Sequence, residues 1–261
     1  MPDLNLHQKM AVEALENLQE ICDKHGLKLY LLAGTVLGAV RHKGMIPWDD
    51  DIDIGLKYED WMTLRSVLTT ELDSRFEYLD YENTPGFPRL FGKIVFQKQN
   101  CIDVFLIAKW TSNSFWGNVH WQIRRAAVEF YKFSLGYESP RKPNITERQI
   151  KHADRMKKIR HFIFVLTKPF CNTNSYIRLA KWNETYYERH PYDCYINLYS
   201  IYKMEKELIK KNWIENTSLV EFEGKTYTTV GDTDAYLTHL YGDYMTPPPV
   251  EQRVGSHSEE F

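Results

Sequence analysis

Residues 51 to 54 read Asp51-Ile52-Asp53-Ile54, a strict alternation of acid and branched apolar side chain. In a strand, side chains two apart share a face, so both carboxylates project from one side and both isoleucines from the other. A third acid, Asp103, sits in Cys101-Ile102-Asp103-Val104-Phe105, which alternates in the same way and brings its carboxylate to the same side if the two strands are neighbours. Three like charges gathered without a cation raise one another's pKa and cost stability. All-oxygen ligation suits Mg²⁺, with Mn²⁺ as an alternative, rather than zinc. Such ions commonly serve phosphoryl chemistry, because they neutralise charge on transferring and leaving oxygens. Asp51, Asp53 and Asp103 are therefore the candidate metal ligands and the candidate catalytic residues.

Around this strand the pattern predicts a mixed α+β chain. Leu6, Met10, Ala14, Leu18, Ile21 and Cys22 recur at helical spacing, and Gly26 follows where a helix end favours a left-handed residue. Leu27 to Ala33 reads as a buried strand that enters a turn at Gly34, and Thr35 to His42 as a short helix. Tyr58 to Leu72 is helical, with strands at Phe76 to Tyr81, Leu90 to Phe96 and Cys101 to Ile107. From Trp110 to about His190 the spacing turns mostly helical. A hairpin is expected around Glu223-Gly224-Lys225, a helix from Asp232 to Leu240, and an extended polyproline run over Pro247 to Pro249. The organisation expected is a catalytic core over 1–110 and a largely helical region over 111–261, packed as one unit.

Gly34-Thr35, after a strand and at the opening of a helix, offers bare amides and a positive helix end to a diphosphate. The competing readings of the acids are a calcium loop and plain surface charge. Asp49-x-Asp51-x-Asp53 with Asp60 imitates an EF-hand, but Ile54 stands where that loop needs glycine. Surface acids would not be interleaved so regularly with Ile52 and Ile54.

A net charge of −2 and a pI of about 6.5 leave no global field of the kind nucleic-acid binders carry. Cys22, Cys101, Cys171 and Cys194 form no CxxC pair, so neither a zinc site nor a disulfide framework is indicated. The N-terminus lacks the basic start and apolar stretch of a secretory signal, and no run is long enough to span a bilayer. A cytoplasmic protein is expected, peripheral at the inner membrane face if it meets a membrane at all. Between residues 121 and 170 twelve cations face four acids, interleaved with Trp121, Tyr131, Phe133 and Phe162. That segment reads either as a contact for an anionic leaflet or as a set of solvated helical faces.

The run Gly34 to Ile54, which contains Gly-Thr-Val-Leu-Gly-Ala-Val-Arg-His-Lys-Gly-Met-Ile-Pro-Trp-Asp-Asp-Asp-Ile-Asp-Ile, closely resembles the signature of the LicD family of phosphocholine transferases, which includes the fukutin-related proteins. Asp103 in Ile-Asp-Val-Phe resembles that family's third acidic position. Tyr241-Gly242-Asp243-Tyr244-Met245, followed by prolines and Arg253, resembles its C-terminal motif. The resemblance implies a polymerase-β-like nucleotidyltransferase core, a mixed sheet flanked by helices. It implies an enzyme that moves phosphocholine or another phospho-alcohol from a CDP-alcohol donor to a saccharide hydroxyl of lipopolysaccharide, teichoic acid or a related glycan, some of them lipid-linked, and releases CMP. Asp51 and Asp53 would then hold Mg²⁺ against the donor diphosphate while Asp103 shares the metal or takes the acceptor's proton. Gly34, Thr35, Gly38, Arg41, Lys43, Lys93, Tyr241, Gly242 and Arg253 would contact the substrate. The same acids would equally serve transfer of NMP from a triphosphate, and a non-catalytic glycan- or membrane-binding module is the reading from another class.

Overall fold

The structure is a computed structural model that describes residues 4–137, 147–200 and 202–253. The elements in chain order are α1 (Leu6–His25), β1 (Tyr30–Leu31), α2 (Ala33–His42), β2 (Ile52–Lys57), α3 (Tyr58–Glu71), β3 (Glu77–Leu79), β4 (Gly92–Phe96), β5 (Gln99–Trp110), α4 (Ser114–Ser134), α5 (Glu147–Thr167), α6 (Thr173–Thr185), β6 (Cys194–Asn197), α7 (Met204–Glu207), β7 (Leu208–Lys210), α8 (Lys211–Glu215), β8 (Ser218–Phe222), β9 (Lys225–Thr229) and α9 (Thr233–Tyr241). The fold is α+β, a mixed sheet flanked by helices.

The sheet is organised on β5, buried along almost its whole length. One edge of β5 pairs in parallel with β2, which carries β1 antiparallel on its far side. The other edge pairs antiparallel with β4 along its first half and with β6 along its second, and β3 and β7 complete the two wings. Ile52, Ile54, Ile102 and Val104, the apolar half of the two alternating segments, are fully buried. Over them lie α1, through Ala11, Leu15, Leu18 and Cys22, and α3, whose Trp61 is wholly buried and donates its indole N–H to the Val104 carbonyl at 3.5 Å.

Helix α1 begins with a reciprocal capping box, Asn5 with Gln8, and ends on Gly26 at φ 65°, as its sequence signals require. The hairpin between β8 and β9 turns on Glu223 and Gly224, both at positive φ, the geometry that suits a two-residue connection. Two expectations about the N-terminal region are corrected. Only Tyr30 and Leu31 of the expected strand Leu27 to Ala33 pair with β2. Helix α2 then starts at Ala33, so Gly34 is its second residue and not a turn before it, and the left-handed residue is Ala33 at φ 44°. Asp51 precedes β2 by one residue. The polar tail beyond Arg253, and Arg141 and Lys142 of the basic segment, lie outside the described residues.

Gly55, in the middle of β2, marks a tight contact next to the acidic strand end. A Cβ there would lie 2.5 Å from Leu32 Cδ1 and 2.9 Å from Ile107 Cγ1. Gly55→Ala is expected to destabilise the fold by about 1–3 kcal/mol through overpacking. Its thermal midpoint should fall by several degrees, and an unchanged midpoint would show that Leu32 and Ile107 can yield.

Candidate active site

The parallel pairing of β2 with β5 puts Asp53 directly opposite Asp103. Asp51 reaches the same place from the strand entrance, and one carboxylate oxygen of each of the three lies within 4.8 Å of the others. Asp49, Asp50 and Asp51 form a second group with the same closeness, so the loop before β2 continues the cluster. Asp51 and Asp103 are buried. Burial first, and the neighbouring carboxylates second, push the Asp51 and Asp53 carboxyls well above the usual range, while Lys93 works against the shift.

Backbone and side-chain donors hold this repulsive group in place. Lys93, opposite Asp103 on β4, puts its Nζ 2.7 Å from Asp103 Oδ1. Asn100 donates from Nδ2 to the same Asp103 oxygen at 2.9 Å and to Asp51 Oδ2 at 3.3 Å, tying the two acids together. His7 Nε2 lies 2.9 Å from the Asp50 carbonyl and 2.7 Å from the Asn100 carbonyl; since carbonyls only accept, this nitrogen carries the proton. Gln8 donates to the Asp49 carbonyl at 2.9 Å. The first turn of α1 thus clamps both segments that deliver the acids.

The remaining predicted residues fall into three groups. Gly34 faces the acids, and a Cβ there would lie 3.3 Å from Asp49 Oδ2. Thr35 spends its amide on the Leu32 carbonyl, and its Oγ1 accepts from the Asp53 amide at 2.7 Å, so it fixes the start of β2. Gly38 serves packing: a Cβ would come within 2.5 Å of the Gly44 carbonyl oxygen. Arg41 and Arg253 both stack on Trp48, at 5.8 and 5.1 Å from its ring, and Arg41 donates to the Tyr244 carbonyl at 3.0 Å. Burial, and then the nearby Arg253, lower the Arg41 pKa. Trp48 is therefore the platform on which the N-terminal and C-terminal motifs meet. Lys43 is exposed and caps α2 at φ 61°. Gly242 caps α9, and Tyr241 lies against Tyr202 with ring centroids 6.2 Å apart. The Tyr241 hydroxyl is pushed up by burial and then by Tyr202, Tyr236 and Asp53, which places it in the field of the acidic group.

Sequence reasoning missed Asn100, His7, Glu207 and Tyr236. Glu207 is buried, its Oε1 has no hydrogen-bond partner, and burial pushes its carboxyl up to about 7, while its charge is felt at Asp53. The Tyr236 hydroxyl accepts from the amide of Ala33, the left-handed residue at the head of α2. No local signal in the sequence marks these residues.

An all-carboxylate donor set at this spacing, with ionisation opposed by burial and mutual repulsion, fits a divalent cation bound through oxygen. Among the described residues both groups that could hold a metal consist of aspartates alone. Cys22, Cys101 and Cys194 are buried free thiols, and none belongs to either group.

Residues 26–137 match the LicD/FKTN/FKRP nucleotidyltransferase domain, a span that contains the acidic cluster, Lys93, Asn100 and Trp48. This segment is similar to the LicD family. The chain is 24% identical over 98% of its length to the lipopolysaccharide cholinephosphotransferase LicD of Haemophilus influenzae, of which 97% is covered. It is 33% identical to an uncharacterized protein of Rickettsia prowazekii over 51% of this chain and 44% of that protein. The human ribitol 5-phosphate transferase FKRP is 26% identical over 42% of this chain and 22% of its own length. The chain thus spans nearly all of the Haemophilus relative and less than half of the other two.

The raised carboxyls fix a pH dependence for the metal-free protein. A folded-state pKa above the unfolded value means that the native state holds more protons, so stability is fullest below the unfolded value and falls as pH rises toward the folded one. The melting temperature in chelator is expected to decline from about pH 5 to pH 8. Glu207, and Glu184 with its carboxyl also at about 7, add to the same slope. Mg²⁺ should lessen it, and Asp53→Asn should lessen it without metal and abolish the response to metal. A metal response that survives in Asp53→Asn would place the cation elsewhere.

Proposed function

We propose that this chain transfers a phosphorylated alcohol, phosphocholine in the leading case, from a CDP-linked donor to a saccharide hydroxyl of a surface glycan. The observation that carries the reading is the close triad of Asp51, Asp53 and Asp103, with Lys93 bound to one of its members and the Arg41–Trp48–Arg253 stack drawn from both motifs. Nearly full-length similarity to a lipopolysaccharide cholinephosphotransferase supports phosphocholine and a glycan acceptor, and the partial similarity to a ribitol 5-phosphate transferase keeps the alditol in view.

A divalent ion, Mg²⁺ in this reading, would be held by Asp51, Asp53 and Asp103 and would supply charge neutralisation on the donor diphosphate. Asp103 is the group suited to take the proton of the attacking hydroxyl, with Lys93 and Asn100 fixing its Oδ1. The acceptor oxygen forms a bond to the phosphorus that bears the alcohol. The bond from that phosphorus to the bridging oxygen breaks, and CMP departs with the electron pair. Arg41 and Arg253, two cations stacked on one ring, are suited to the phosphate of the leaving CMP. Gly34 keeps the entrance to the acids open, since any side chain there would crowd Asp49. Tyr241 and Tyr202 form the wall supplied by the C-terminal part. In this reading the reaction runs in the cytoplasm, at the inner face of the membrane that carries the acceptor.

Calorimetric titration with CDP-choline, CDP-ribitol and CTP, each with and without Mg²⁺, tests this directly. A CDP-alcohol is expected to bind only with Mg²⁺, and Asp51→Asn should lose that binding and at least about 100-fold in transfer rate. The best-bound alcohol identifies the transferred group. Preference for CTP would replace the reading with nucleotidyl transfer, and no binding of any of the three would remove the CDP donor altogether.

A further inference from the structure

Helix α5 presents an apolar face that the described residues leave uncovered. Its inner side is set by Phe164, buried and packed at 5.6 to 6.1 Å from the rings of Phe130, Phe133 and Tyr176. At about 100° per residue, Ile159, Phe162, Ile163 and Leu166 fall within an arc of roughly 100° on the opposite side. All four are exposed, Phe162 at 64% and Leu166 at 58%. Just past the helix end, Phe170 is 88% exposed. These are large side chains in successive turns of one helix, a concentration that soluble surfaces normally avoid.

The polar surroundings of this stripe are cationic. Arg155 lies on the same line one turn before Ile159, Lys158 borders it, and Lys168 follows the last turn; all three are exposed. Between residues 154 and 168 there are five cations and one acid, on a chain whose net charge is −2. Of the aromatic residues interleaved in the basic segment, Trp121 and Tyr131 are buried and Phe133 packs against Phe164, whereas Phe162 is exposed. The exposed apolar residues of this segment lie on α5 and just beyond it.

We infer that the outer face of α5 is a membrane-docking surface, which inserts Ile159, Phe162, Ile163 and Leu166 at the headgroup boundary of an anionic bilayer while Arg155, Lys158 and Lys168 meet lipid phosphates. A convex helix face with an apolar centre and cationic borders has the chemistry of an interfacial helix. A second copy on the same face would bring these cations against their own kind, which disfavours a symmetric dimer there. No helix among the described residues is long and apolar enough to cross a membrane, so the contact is peripheral. The inference stands apart from the transferase reading and its test involves no catalysis.

Co-sedimentation of the full chain with vesicles decides the matter, using phosphatidylcholine alone and phosphatidylcholine with about one third phosphatidylglycerol. The wild type is expected to bind the anionic vesicles at least about tenfold more tightly than the neutral ones, and less tightly as salt is raised. Phe162→Ser combined with Leu166→Ser should weaken binding at least about tenfold, and Arg155→Glu combined with Lys158→Glu should remove the preference for anionic lipid. These side chains are exposed, so both double variants should keep the wild-type melting temperature, which verifies the fold. Equal binding to both vesicles, no binding to either, or unaltered binding by the Phe162/Leu166 variant would overturn the inference. So would light scattering that shows a wild-type dimer dissociated by the same pair of substitutions, since the face would then be covered by a second copy.

Discussion

The parallel pairing of β2 and β5 is the constraint on which the site depends, because its register sets Asp53 beside Asp103 and leaves no way to separate them without breaking the sheet. Carboxylates taken out of water cost several kcal/mol each, and these repel one another as well. Lys93, from the other neighbour of β5, compensates one of the three. The rest must be borne by packing, and the apolar residues of the same two strands supply it. Ile52, Ile54, Ile102 and Val104 are buried beneath α1 and α3. One alternating pattern therefore produces both the repulsion and the core that withstands it.

That division explains how much of the molecule was legible in its sequence. The acids, helix α1 with Gly26, helix α3 and the β8–β9 hairpin announce themselves through local periodicity or turn chemistry, which a single chain displays openly. Asn100 and His7 do not. Asn100 is an ordinary polar residue until β5 brings it between Asp51 and Asp103, and His7 is one until α1 docks on two carbonyls at sequence distances of 43 and 93. The short strands β6 and β7 carry too few residues to show a period, yet they extend the sheet along the second half of β5. The strand expected at Leu27 to Ala33 shrank to two residues because β1 is an edge, paired on one side only, and the chain turns into α2 at Ala33.

The C-terminal part explains why motifs at opposite ends of the sequence belong to one site. Strand β9 anchors Leu31 through the Thr229 hydroxyl, α9 holds Ala33 through Tyr236, and the segment after α9 receives Arg41 at the Tyr244 carbonyl. All three contacts fall on β1 or α2. Ala33 at φ 44° is in a region that a residue with a side chain enters at a cost of order 1–3 kcal/mol, and such strain persists where surrounding structure over-determines it. Here the Tyr236 hydroxyl occupies the amide that this conformation exposes.

The loop between α2 and β2 shows the same dependence at a finer scale. Glu223, in the turn of the hairpin, accepts from the Met45 amide at 2.8 Å, and its own amide donates to the Lys43 carbonyl at 2.9 Å. Its carboxylate fills the space that a side chain at Gly44 would need, and Gly38 in turn lies against the Gly44 carbonyl oxygen. Two glycines and one distant glutamate thus fix the path of a loop that ends on Trp48 and the aspartates. The glycines of the signature run are accounted for by this approach of backbone to backbone and by open access at Gly34. Their shared physical role is to let α2, the hairpin and the acidic loop come close enough for both arginines to reach one indole ring.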